Sequence, residues 1–227
     1  MKANNINTIA ITFLIALTTA ACGGAGAVTN GATSDAGDDA LANLEELYNA
    51  RRQAAKMSFT DADVEFMTGM IGHHAQALIM SRLAPENGAS GQVRILTSRI
   101  INAQQDEISL MQTWLRDRGQ PVPEVHIDGL NLMLHGAGDH EMMPGMLSQD
   151  QLNELSEAQG EDFDRLFLTY MIQHHTGAVT MVEVLFAAGG GGQDEATFKV
   201  ASDINVDQIT EIARMRLMIE AIDESTN

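Results

Sequence analysis

Asp63-Val64-Glu65-Phe66-Met67-Thr68-Gly69-Met70-Ile71-Gly72-His73-His74 returns later in the chain, without a gap, as Asp164-Arg165-Leu166-Phe167-Leu168-Thr169-Tyr170-Met171-Ile172-Gln173-His174-His175. Each matched pair lies 101 residues apart. The match extends to Met80 and Met181. Further along, Gln104, Glu107, Ile108 and Met111 pair with Gln208, Glu211, Ile212 and Met215 at an offset of 104. Two nearly equal offsets over two successive segments mean that one helix-turn-helix unit has been duplicated. Two copies of one hairpin are expected to pack about a pseudo-two-fold axis.

Caps and breakers around the repeat set the helices. Thr60 with Asp63 opens a helix over about Asp61 to Ala84, closed by Pro85 and Gly88. A second runs from about Ser90 to Arg118 and stops at Gly119 and Pro121. Residues 119–147 carry Pro, Gly and three histidines without a helical period and read as an irregular crossover. Ser148 caps a short helix reaching about Gln159, with Gln151 as its partner. A third long helix covers about Glu161 to Ala188, and Asp194 caps a fourth over about Glu195 to Ile222. The fold expected is all-α: a four-helix bundle of two duplicated hairpins, residues 60–118 and 161–222, joined by a long crossover. Fourteen methionines against one Trp and two Tyr fit helices packed through thioethers rather than a sheet.

At about 100° per residue, the first helix of the repeat places Met80, His73, Phe66, Ala77, Met70, Asp63, His74 and Met67 within an arc of about 140°. That arc is the face expected to be buried, and the copy carries His174, His175, Met171 and Met181 on its own. Four imidazoles and four thioethers, from Met70, Met80, Met171 and Met181, would then converge inside the bundle. Imidazole suits copper in either oxidation state. Thioether favours Cu(I) and contributes little to hard cations. The single cysteine, Cys22, follows the leader and is expected to carry a lipid, so no thiolate competes. Asp63, Asp164, Glu107 and Glu211 are candidates to hold the second ring nitrogens of these histidines. A possible secondary site is the crossover set His126, His135, His140, Met142, Met143 and Met146. Two readings stay open: copper held by the histidine pairs, or a structural or protein-interaction module in which buried histidines and methionines only stabilise the bundle.

Residues 1–21 hold Lys2, an apolar run from Ile9 to Leu17 and then Thr19-Ala20-Ala21 before Cys22. The run is too short to remain a membrane span and reads as a signal peptide. The small residues before Cys22 resemble a lipobox, so Cys22 is expected to carry the lipid of an exported protein anchored at the cell membrane or outer envelope. Residues 22–40 read as a flexible tether, and Leu41, Leu44, Leu47 and Tyr48 mark a preliminary helix within 41–59. Thirteen basic against 31 acidic residues, net −18, would repel a phosphate backbone, so nucleic acid is excluded as a partner and cations are favoured. No Glu-x-x-His pair, His-Glu-x-x-His, phosphate loop or Gly-x-Ser-x-Gly elbow occurs, so no turnover chemistry is expected.

The paired Met-Ile-x-His-His stretches, the Gln-x-x-Glu-Ile-x-x-Met stretches at Gln104 and Gln208, and Met143-Pro144-Gly145-Met146 ahead of Phe163-Asp164-Arg165-Leu166-Phe167 resemble the Domain of Unknown Function 305 family. The resemblance covers about Thr60 to Met218. It implies a ferritin-like four-helix fold, frequent export or lipidation and, for some members, a copper-binding or copper-resistance role. By position it points to the same ligand candidates, namely His73, His74, His174, His175, Met70, Met80, Met171 and Met181.

Overall fold

The computed structural model describes residues 34–136 and 142–225. In chain order the elements are α1 (Ser34–Lys56), α2 (Asp61–Arg82), α3 (Gly91–Asp117), β1 (Glu124–Asp128), β2 (Asn131–His135), α4 (Gln149–Glu157), α5 (Gly160–Ala187) and α6 (Glu195–Ser225). The signal region, Cys22, the tether up to residue 33 and His140 lie outside the described residues. Among those described, no helix is long and apolar enough to cross a membrane.

Two compact units divide the chain, Met1–Glu46 and Leu47–Asn227. In the first, α1 starts at Ser34, so residues 34–40 are helical where a tether was expected. Asp38 and Asp39 near its start are well placed against the helix dipole, a contribution that reading Gly, Ala and Asp as linker composition leaves out. The second unit holds the repeat and the rest of the structure described below.

Three of the four long helices start where their caps predict, at Thr60, Ser90 and Asp194, while α5 starts at Gly160 without a side-chain cap. Thr60 and Asp63 form a reciprocal capping box at the start of α2, and Ser148 with Gln151 forms another on α4. Each repeat is a hairpin, with α2 packed along α3 and α5 along α6, and the two hairpins meet chiefly through α2 against α5. Apolar side chains from both hairpins form two core clusters. One gathers Phe66, Met67, Met70, Met111, Trp114, Ala178, Val182 and Ile204. The other gathers Met80, Val93, Leu96, Phe163, Phe167, Met171, Ile212 and Met215. The mixing of halves within each cluster follows from duplication, because each hairpin offers one apolar face and only the other copy can cover it. The end of α3 is tied to the start of α6 by Asp194, which accepts hydrogen bonds from Trp114 Nε1, Arg118 Nη2 and Thr197 N at 3.0 Å each.

The segment expected to be an irregular crossover contains an antiparallel hairpin, β1 on β2, with Asp128 opposite Asn131 and His126 opposite Met133. The signal was an alternation, Val125 and Ile127 then Leu132 and Leu134, around an Asp128-Gly129 turn. Gly129 has φ +58, as the first central position of a tight hairpin turn requires. Val125, Ile127 and Leu132 pack on the first cluster. The hairpin therefore covers α2, and every residue from Gly69 to Ser81 of that helix is buried. A helix hidden on all sides has no reason to alternate polar and apolar positions, which explains its run of Gly, Met, Ile and Leu.

After the hairpin the chain is pinned across the top of both first helices. Gln76 receives a hydrogen bond from Leu147 N at 2.7 Å and donates one to Leu147 O at 3.0 Å. On the α5 side the crossover backbone rests directly on Gly177, where a Cβ would stand 1.8 Å from Pro144 O. A backbone atom cannot swing aside as a side chain end can. Gly177→Ala is therefore expected to displace the crossover and destabilise the protein by about 1–3 kcal/mol, read as a lower urea midpoint with an unchanged far-UV spectrum.

Candidate metal centre

His73 and His74 leave α2 a turn beyond Met70, and His174 and His175 leave α5 a turn beyond Met171. All four side chains are fully buried. His73 and His174 meet across the interface with ring centroids 3.8 Å apart and planes inclined at 39°. His74 and His175 point away from that contact, toward α3 and α6. His175 Nε2 donates to Glu211 Oε2 at 2.6 Å. His74 Nε2 lies 2.8 Å from Glu107 Oε2, but off the N–H axis, so that contact is electrostatic rather than a directed hydrogen bond. His73 Nε2 donates to Pro144 O of the crossover at 3.0 Å.

Carbonyl and carboxylate oxygens only accept, so the tautomer follows: the proton sits on Nε2 of His73 and His175, and the lone pair sits on Nδ1. Nδ1 of His73, His74 and His175 has no hydrogen-bond partner, and His174 has none at either nitrogen. A buried acceptor left unpaired costs about 1–3 kcal/mol, and this interior holds several. Burial is also the main cause that lowers the His73 pKa from 6.5 to about 3, followed by repulsion from His74, with the Pro144 hydrogen bond acting in the opposite sense. Burial and then the charges of His73, His175 and His74 hold His174 well below its ordinary value. At neutral pH these two rings are uncharged and expose lone pairs to each other's surroundings.

The carboxylates divide into two kinds. Glu107 and Glu211 stand beside His74 and His175, as the spacing suggested. Asp63 and Asp164 do not approach the histidines as expected. Asp63 accepts from Thr60 N and Oγ1 and, through its other oxygen, from Gly192 N at 2.7 Å. Asp164 accepts from Ser90 N at 3.1 and 3.2 Å. Each of these two aspartates thus clasps the turn of the opposite hairpin. The helical wheel placed them on the buried face correctly but gives no height along the axis, and they sit near the helix starts, far below the His-His level.

The thioethers are also divided. Met70 belongs to the first cluster with Met111, and Met181 packs against it. Met80 and Met171 belong to the second with Met215. Each cluster therefore draws methionines from both hairpins, and the four expected ligands are split two and two between the clusters instead of meeting at one point. Met111 and Met215 were not among the expected ligands, although the repeat at offset 104 contains both. Among the described residues no three His, Cys, Asp or Glu side chains gather into one metal-holding group. A single central site of four imidazoles is thereby replaced by a close, tilted pair with two outlying histidines.

The crossover set is split as well. His126, Met133 and His135 are on the exposed face of the hairpin. Met142, Met143 and Met146 lie beyond it against α2, lining a cavity of about 280 Å³ with Gly72, Gln76 and Leu134. Alternation along the strands turns the histidines outward and the leucines inward, which is why they do not join the methionines. On the far side of the bundle, a groove of about 280 Å³ between α3 and α6 is lined by Glu107, Asp207, Glu211, Gln104 and Gln208. Burial, then Glu107 and Glu211, raise the pKa of Asp207.

The sign of the pH dependence follows from the two buried rings. Unfolded, each binds a proton near pH 6.5, whereas folded His73 resists protonation down to about 3. The unfolded chain holds more protons between those values, so the stability present above 6.5 is lost as pH falls toward 3. Melting temperature of the metal-free protein is expected to drop steadily from pH 7 to pH 4, and the drop is expected to shrink in His73→Gln/His174→Gln. A melting curve equally steep in pH in that variant would assign the acid sensitivity elsewhere.

The family described as Domain of unknown function (DUF305) matches the chain over residues 63–219. No curated protein matches it. Among solved structures, a DUF305 fragment from Deinococcus radiodurans is 28% identical with a TM-score of 0.59, covering 72% of this chain and 98% of its own. CopM in its Cu(I)-bound form is 28% identical with a TM-score of 0.52, and in its Cu(II)-bound form 29% with 0.54. Each covers 70% of this chain and 96% of the CopM chain.

Proposed function

The chain belongs to the DUF305 family, and from that premise we propose that it is an exported, lipid-anchored protein of the cell envelope that binds copper to sequester it or hand it on, without turnover chemistry. The observation that carries this reading is the set of orphaned Nδ1 atoms. His73 and His175 direct Nε2 at a carbonyl and a carboxylate and leave Nδ1 without a partner, and His74, whose Nε2 lies 2.8 Å from Glu107 Oε2, also has an unpartnered Nδ1. That is how a histidine is held when its other nitrogen binds a metal, because the outer oxygen fixes both tautomer and orientation. Low basicity keeps His73 and His174 neutral, so a proton does not compete for their lone pairs at physiological pH. Methionines lie on both sides of the histidines, and thioether sulfur favours Cu(I). The copper-bound forms of CopM point the same way at 28–29% identity. Export and the anchor rest on the leader and on Cys22 in its lipobox-like setting.

Native mass spectrometry of the protein titrated with Cu(I) tests the reading. Wild type is expected to take up copper, and His73→Ala/His74→Ala/His174→Ala/His175→Ala to take up markedly less while its helical content is retained. Undiminished uptake in that variant would remove the core site. Should the quadruple variant fail to fold, the wild-type melting temperature decides. Copper at about 100 times its Kd should stabilise by about 2.7 kcal/mol, reversibly on chelation, whereas a melt indifferent to copper and chelator would leave the histidines a purely structural role.

A further inference from the structure

The four imidazoles are fully buried, so any ion that binds them has to cross the protein surface somewhere, and the crossover is built for that passage. Met142 is 67% exposed, while Met143 and Met146 are half-buried. All three line the cavity above α2. Met143 reaches further in: a Cβ at Gly69 would stand 3.2 Å from its Sδ and 3.3 Å from Met181 Cε. Gly69 is four residues before His73 and therefore one turn away on the same face of α2. The missing side chain leaves room for two thioethers beside the histidine. Between Met143 and Met146 sits Pro144, whose carbonyl accepts the His73 Nε2–H. The segment that carries the sulfurs is also the cap on the ring.

We propose that Met142, Met143 and Met146 form the entry port for a soft monovalent ion, Cu(I) or Ag(I), passed from the exposed thioether to Met143 and Met181 and then to His73. This rests on the copper reading above and adds the route. Thioethers exchange soft ions readily because each binds modestly and carries no charge, whereas the α3–α6 groove presents carboxylates, which suit harder cations. The port is a kinetic device, since the ion's final ligands are the buried ones. Leu in place of Met keeps shape and apolarity and removes only the sulfur.

The full-length protein is offered Cu(I) as its coloured bicinchoninate complex, and loss of colour gives the filling rate. In Met142→Leu/Met143→Leu/Met146→Leu that rate is expected to fall about ten-fold with the same final ion count and an unchanged melting temperature. Met142→Leu alone, at an exposed position that cannot compromise folding, should fill more slowly than wild type. An unchanged rate in both variants overturns the route and leaves the copper reading intact. A lower final count in the triple variant also overturns it, since the methionines would then be terminal ligands. A wild-type protein that takes up neither Cu(I) nor Ag(I) overturns the copper reading and the route with it.

Discussion

Burial of uncharged imidazole between two copies of one helical hairpin is the constraint around which this structure is arranged. Desolvation strongly disfavours a charge on His73 or His174, and the nearness of the other histidines disfavours it further, so the interface between the hairpins can be closed only with those two rings neutral. Neutral imidazole has one donor and one acceptor. The fold supplies an oxygen for the donor of His73 and His175, while the acceptors go unanswered. A protein whose histidines served packing alone would gain by pairing those acceptors or by replacing the rings with apolar side chains, since a half-satisfied polar interior is worse than an apolar one. Retained lone pairs are the physical ground for expecting an electrophile there.

Much of this was legible from the repeat. Two matching segments at a nearly constant offset dictate two hairpins, and the periodic stripe identifies which side chains point inward. Phe66, Met70, His73, His74 and Met80 are indeed all buried. The stripe is an angular quantity, however, and says nothing about height. That is why Asp63 and Asp164, correctly placed on the inward face, turn out to clasp Gly192 and Ser90 at the helix ends. The same limit separates Met80 from Met70, two turns and more apart along one helix and assigned to different core clusters. The β1–β2 hairpin was equally readable in its Asp128-Gly129 turn but was masked by the scan for helical period, to which a strand alternation of five residues is invisible.

Seen by ligand character, the histidines have two unlike surroundings. Toward the crossover lie sulfur and a backbone carbonyl. Toward α3 and α6 lie carboxylates and the buried amides of Gln104 and Gln208, which leave Gln104 Nε2 and Oε1 and Gln208 Oε1 unpaired. Carboxylates thus gather on the α3–α6 side only, whereas thioethers are found toward the crossover and also on α3 and α6 as Met111 and Met215, with imidazole, acceptable to either kind of ion, between them. The net charge of −18 adds an attraction for any cation at long range without choosing between the two sides.

Duplication would make the halves equivalent, and the single crossover prevents it. One copy of the first helix, α2, is covered by the hairpin and the methionine segment, and its residues Gly72 and Gln76 are buried. Their counterparts on α5 are Gln173, which is exposed, and Gly177, on which the crossover backbone rests. A single connection meets the two hairpins with different residues, so it gives different partners to His73 and His174. His73 receives the Pro144 carbonyl, and His174 is left with both nitrogens unpaired. Of two rings 3.8 Å apart, one is held by the crossover carbonyl and the other is not. On the proposed route an ion arriving through the methionines meets the held ring first. The asymmetry of the linker thereby distinguishes two rings that the repeat alone would leave identical.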